Sequence, residues 1–247
     1  LTHQRDQIVS TGVMEFKEDF FPNNALAGTV IDFGINTITE NKGENRWWKS
    51  EEHIPANEGT NSDPIKDLIK IRKDMERTNP DGYFEISKSL WEDLLGHTKV
   101  LHLVGLIKNP NFGKDAESAI AYGSHILEDE VKSIIERAIK ARISIRDTKS
   151  GVLTLDEEAK DLVASLKDNF DPKNVAYLPY GQLGEIQASA PVFMGDPAAK
   201  VATSMNGRLQ LLMTFNERQR KQTIDAELTA LVVPSQARRM AVKTVTA

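Results

Sequence analysis

The sequence predicts an α+β fold, and three observations carry that reading. Helical periodicity is concentrated in the middle of the chain, roughly between residues 63 and 142. Strand-like segments bracket it, at 27–34 and again across 209–245. Strand and helix do not alternate regularly, as they would in a parallel α/β sheet. The 247 residues are 40% apolar and 27% charged, enough to build a core and a solvated surface.

In chain order, residues 1–11 read as the end of a polar helix, with Gly12 as its stop. Ala27–Gly34 sets β-branched and aromatic residues between glycines, a strand signature. Ile35–Trp48 is polar and holds a loop, since Asn41, Lys42, Gly43, Glu44 and Asn45 supply turn chemistry. Asp63-Pro64-Ile65 then opens the clearest helix. Asp63 can accept from the first free amides, and Pro64 suits the first helical position because no partner awaits its missing N–H. Ile65, Leu68, Ile69 and Met75 follow near one face.

Asn79-Pro80-Asp81-Gly82 breaks the chain, and a short helix is expected from about Ser87 to Leu95. Lys99–Ile107 reads as a buried strand, followed by a Gly/Asn/Pro loop to Gly113. Residues 118–142 give the longest helical pattern, with Leu127, Val131, Ile134, Ile135, Ala138 and Ile139 as its stripe. Arg142–Asp147 alternates as a half-buried strand does. A helix is expected over Asp156–Leu166 and a strand over Asn174–Leu178. Leu209–Phe215, Thr223–Val233 and Met240–Val245 are β-like, with a turn at Pro234-Ser235-Gln236.

Chemistry-bearing patterns are sparse. There is no cysteine, so neither a disulfide nor a thiolate metal site can form. His3, His53, His97, His102 and His125 share no metal-ligand spacing and read as surface or partly buried histidines. Gly105 and Gly113-Lys114-Asp115 have the wrong spacing for a phosphate loop. A net charge of −5 excludes a chain-wide nucleic-acid footprint, and Arg238-Arg239 reads as a solvated turn. No apolar run approaches the roughly 20 residues of a membrane helix. Glu51-Glu52, Asp129-Glu130 and Glu157-Glu158 are solubility charge, because adjacent helical residues do not face each other. The alternative with chemistry in it is a cytoplasmic α+β metal-dependent hydrolase or nuclease using Asp81 and Glu85. The Glu85-x-x-Lys88 spacing speaks against it, placing the two on opposite faces of a strand, and a solvated helix start is the simpler reading.

A series of words in order carries a resemblance. Val30-Ile31-Asp32-Phe33-Gly34 is followed by Trp47-Trp48-Lys49-Ser50, then by Asn61-Ser62-Asp63-Pro64-Ile65-Lys66-Asp67-Leu68, then by Ser87-Lys88-Ser89-Leu90-Trp91-Glu92. Phe170–Leu178, Gly181, Leu183, Gly184, Thr223–Val233 and Met240–Val245 continue it more loosely. This resembles the major capsid proteins of tailed bacteriophages of the lambda capsid-protein-E family, over about residues 8–245. The family-motif positions here are Asp32, Phe33, Gly34, Trp47, Asp63, Pro64, Asp67 and Trp91.

The resemblance implies an HK97-like capsid fold and a structural protein of a phage or prophage virion, not an enzyme. It implies residues 1–40 as the end of the spine helix and a peripheral-domain strand, 41–197 as an axial domain, and 198–247 as closing peripheral strands. The family's N-terminal arm, extended loop and most of its spine helix are expected upstream of Leu1. On that expectation the 247 residues by themselves associate weakly. Implied partners are other copies in capsomers, a scaffold, a portal, a decoration protein, and packaged double-stranded DNA held without sequence-specific binding. No cofactor, no metal and no membrane are implied, and assembly would take place in the bacterial host cytoplasm. A cellular compartment shell of the same fold is a third reading, told apart from a phage head only by a cargo-binding site or by genomic neighbours.

Overall fold

A computed structural model describes residues 2–16, 28–38, 43–50, 52–112, 115–155, 162–188, 200–204, 209–216, 221–228 and 230–246. The turn candidates Asn41 and Lys42, Gly113-Lys114, Glu51 and Glu157-Glu158 lie outside the described residues. In chain order the elements are α1 (Thr2–Thr11), β1 (Val13–Glu15), β2 (Val30–Asp32), β3 (Asn36–Ile38), α2 (Pro64–Asp74), β4 (Tyr83–Ser87) and α3 (Lys88–Gly96). Then come α4 (Thr98–Lys108), α5 (Ala116–Gly123), α6 (Glu128–Ile139), β5 (Ile143–Arg146), β6 (Lys149–Leu155), β7 (Leu162–Asp168) and β8 (Asn174–Leu178). The remainder is β9 (Gly184–Ala188), β10 (Lys200–Ser204), β11 (Leu209–Asn216), β12 (Lys221–Leu228), β13 (Ala230–Pro234) and β14 (Ala241–Thr244). The fold is α+β.

Two compact units divide the chain, one of residues 2–183 with 236–247 and one of residues 184–235. Helix α1 and the last strand thus share a unit with the helical middle. The larger unit is built on a mixed five-stranded sheet of order β3-β14-β8-β4-β5. Strand β4 runs parallel to β5 and antiparallel to β8, while β14 runs antiparallel to β8 and parallel to β3. Strand alternation sorts the side chains. Phe84, Ile86, Ile143, Ile145, Val175, Tyr177 and Ala241 join the main core, where α2, α3, α4 and α6 supply Leu68, Ile71, Leu90, Trp91, Val104 and Ile135. On the other face Glu85 and Arg146 meet α1, which packs on β8 and β14. The smaller unit holds the antiparallel pair β9–β13 and the antiparallel sheet β10-β11-β12.

Local signals set several elements as expected. Asp63 accepts from Lys66 N–H at 3.1 Å, and Pro64 takes the first position of α2. Gly12 closes α1 with φ +82°, a conformation natural to glycine. Ser87 caps α3 through Leu90 N–H.

Four expectations are overturned. Lys99–Ile107 is helix α4, not a strand. His97 caps it by accepting from Lys99 N–H, Glu58 accepts from Thr98 N–H, and Val100 and Val104 bury one face at helical spacing. A short continuous apolar run suits a buried strand or a helix equally, and here the caps decide. Gly105 and Gly123 let α4 and α5 cross backbone to backbone, since a Cβ on Gly105 would lie 2.0 Å from the Ala119 carbonyl oxygen.

The stretch 118–142 is two helices with a break at 124–127, and Leu127 stands 74% exposed before α6 instead of joining its buried stripe. Leu162–Asp168 is a strand paired antiparallel with β6, so the described part of the helix expected over 156–166 is overridden by pairing; residues 156–161 lie outside the described residues. Glu85 is not at a solvated helix start: it sits in strand β4 and is 1% exposed.

Candidate functional site

Among the described residues, three clusters bring buried charged or titratable side chains together, all in the larger unit. The first assembles from the resemblance words. Trp47 is fully buried, and its Nε1–H donates to Asp67 Oδ2 at 2.9 Å. Asp67 Oδ1 lies 3.0 Å from the ammonium of Lys243, itself 1% exposed. Asp67 comes from the first turn of α2, whose start Asp63 and Pro64 define. Lys243 comes from β14, on the same face as Ala241. A buried lysine needs a charge partner, and Asp67 supplies it.

The remaining motif positions hold the chain locally. Asp32 accepts from Gly34 N–H at 2.8 Å, and Gly34 has φ +67°. Phe33 is half-buried, and its N–H donates to the Gly12 carbonyl. Trp91 is 1% exposed in the core and donates to Glu128 at 2.6 Å. The structure therefore brings Trp47 and Asp67 together, stations Asp63 and Pro64 at the start of the same helix, and leaves Asp32, Phe33 and Gly34 in a separate turn.

The second cluster was not legible as a site. Arg5 spans Glu85 with two hydrogen bonds, 3.0 Å to Oε1 and 2.8 Å to Oε2, and also donates to Asp6 at 2.8 Å. Arg146 donates to Asp6 at 2.9 Å and lies 2.8 Å from Glu85 Oε1, at an angle that is not a hydrogen bond's. Thr148 donates to Asp6 Oδ2. Two cations and two carboxylates thus balance between α1 and the sheet. Burial alone would raise the Asp6 pKa, but the hydrogen bonds from Thr148, Arg5 and Arg146 outweigh it and hold the carboxyl below its ordinary range. Glu85, committed to two arginines, is not an open carboxylate ligand, and Asp81 stands exposed on the turn before β4. Among the described residues no group of three or more His, Asp or Glu could hold a metal ion.

The third cluster corrects the reading of His97, which is 0% exposed and not near the surface. Its Nε2 lies 3.1 Å from Ser62 Oγ, the contact a serine–histidine nucleophile would need. The protons run the wrong way for that chemistry. Nδ1 accepts from Lys99 N–H at 3.2 Å, so the neutral ring carries its proton on Nε2 and donates to Ser62. Burial lowers the His97 pKa, outweighing the nearby charges of Glu58 and Asp63. The histidine is a structural cap.

No helix among the described residues is long and apolar enough to cross a membrane. No protein-family model matches the sequence, and no curated protein matches it either.

Proposed function

We propose that the chain is a structural tile of a closed protein shell, the major capsid protein of a phage or prophage head with an HK97-like fold. The observation that carries this reading is the convergence of separate resemblance words on one core. The tryptophan of Trp47-Trp48-Lys49-Ser50, the aspartate of Asp63-Pro64-Ile65-Lys66-Asp67 and the lysine of the closing strand meet in the Trp47–Asp67–Lys243 cluster. The Phe170–Leu178 word runs into β8, which is directly paired with that closing strand. Words that are each weak alone therefore act as parts of one folding unit, which is how a tile that must keep its shape against neighbours is specified.

On this reading the buried charges serve rigidity, and function lies in edges that meet other copies around five- and sixfold rings. Scaffold, portal and decoration proteins and packaged double-stranded DNA are the proposed partners, and the virion head assembled in a bacterial cytoplasm is the proposed location. Expression of the complete gene product in bacteria, followed by negative-stain microscopy of the sedimenting fraction, tests the proposal. Closed particles of uniform diameter built from ring-shaped capsomers are expected. A discrete small oligomer with metal-dependent hydrolysis that Glu85→Gln abolishes would replace the shell with the enzyme reading.

A further inference from the structure

A cleft of about 420 Å³ opens where α2 and α6 end beside the turn before β4. Arg72, Arg137, Lys140 and Arg142 line it, together with Asp81 and Glu136. In a chain of net charge −5, this one cleft carries a surplus of two positive charges. Among the described residues none of the four cations takes part in an ion pair.

The two carboxylates do not remove the surplus. Glu136 accepts from Ile143 N–H at 2.8 Å, and Asp81 stands exposed at the rim. Arg137 uses Nε and Nη2 on Ser133 and has Nη1 left over. Arg72 has its Nε buried without any acceptor, an expense proteins usually avoid unless something else completes the set.

The competing account is that these cations only offset helix ends. Two helix C-termini carry roughly −0.5 charge each, about −1 together, so about one positive charge remains uncompensated. Lys140 argues the same way. It holds a left-handed conformation, φ +55°, at the C-cap of α6, where glycine would fit with less strain. We propose that this cleft binds a phosphate group. Three of the four cations are arginines, whose forked N–H groups match phosphate oxygens. A phosphate monoester carries about −1.5 to −2 charge near neutrality, of the sign the cleft needs and enough to cover the one charge left uncompensated. The inference uses the geometry of this chain alone and stands or falls apart from the shell reading.

The experiment is calorimetric titration of the full chain with inorganic phosphate, with adenosine monophosphate and with a short oligothymidylate, each at two salt concentrations. Saturable binding of at least one probe is expected, and the tightest of the three identifies the source of the phosphate. Arg137→Gln combined with Arg142→Gln, both exposed positions, should weaken binding by roughly tenfold or more. Lys140→Gly relaxes the backbone, so it should keep or raise the melting temperature while weakening binding, a combination that mere helix capping does not produce. No saturable binding of any probe, or binding that the double variant leaves unchanged, would overturn the proposal.

Discussion

The two faces of the central sheet solve the problem of burial in opposite ways. Towards α2, α3, α4 and α6 the sheet presents Phe84, Ile86, Val175 and Tyr177, and a single buried cation, Lys243, is matched by a single carboxylate. Towards α1 it presents Glu85 and Arg146 beside the small or β-branched Ala176 and Val242, and the contact includes a balanced set of four charges. Helix α1 buries only two apolar side chains, Ile8 and Val9, beside Gln4, Asp6 and Ser10. A polar helix can still be fixed to a sheet when every charge it buries finds an opposite one, but such a contact gains little over a well-packed apolar one. The apolar face should therefore dominate stability, and the ionic face should govern how stability responds to acid below pH ~4.

Chemical denaturation of single variants can break that comparison. The largest loss is expected from Trp91→Ala on the helical face, ~3–5 kcal/mol, because a fully buried indole leaves a cavity among Leu90 and Leu94. A change within ~0.5 kcal/mol would show that the helical face does not carry the fold. On the α1 face, Glu85→Ala leaves Arg5 and Arg146 crowded without their shared anion. The expected cost is ~3 kcal/mol, at the low end for a broken buried pair because both arginines still reach solvent. Restoring stability with Glu85→Ala plus Arg5→Leu would support the charge-balance argument; a further loss would refute it.

Lys243→Met should cost less, ~1–2 kcal/mol, since the stem volume is retained and Asp67 keeps the Trp47 donor and some access to water. A loss as large as that of Trp91→Ala would move the keystone of this core from the indole to the ion pair.

The smallest effects are in pH, and they separate the clusters by window. Asp6 has a lowered folded-state pKa, so its contribution is present above its unfolded value, ~3.9, and is lost as pH falls below that. His97 is also lowered, so the unfolded chain binds its proton first, and stability declines as pH falls through the unfolded value, ~6.5. Denaturation midpoints measured from pH 8 to pH 3 should thus show a shallow decline beginning near neutrality and a second below ~4. Asp6→Asn should flatten only the second. If Asp6→Asn instead abolishes the decline near neutrality, the assignment of the two windows is wrong.

What could be read without the structure was whatever a few neighbouring residues decide. Asp63, Pro64 and the apolar positions after them specify a helix start within one turn, and it lies where they put it. Asn79–Gly82 breaks the chain between α2 and β4, and the alternation over 142–147 and the strand read over 174–178 fall on two strands of the central sheet. Lys243 and its partner Asp67 lie too far apart along the chain for their pairing to be inferred from spacing.

Tertiary structure decided the rest. Whether 98–108 would be strand or helix depended on caps from His97 and from Glu58, forty residues away, and on a glycine crossing with α5. Helix-forming residues before Leu166 yielded to pairing with β6. Glu85 looks like any surface glutamate until Arg5, eighty positions earlier, is folded against it. Capping and turn chemistry act within a few residues and are written locally, whereas burial of a charge is settled by whichever group arrives from elsewhere to neutralise it.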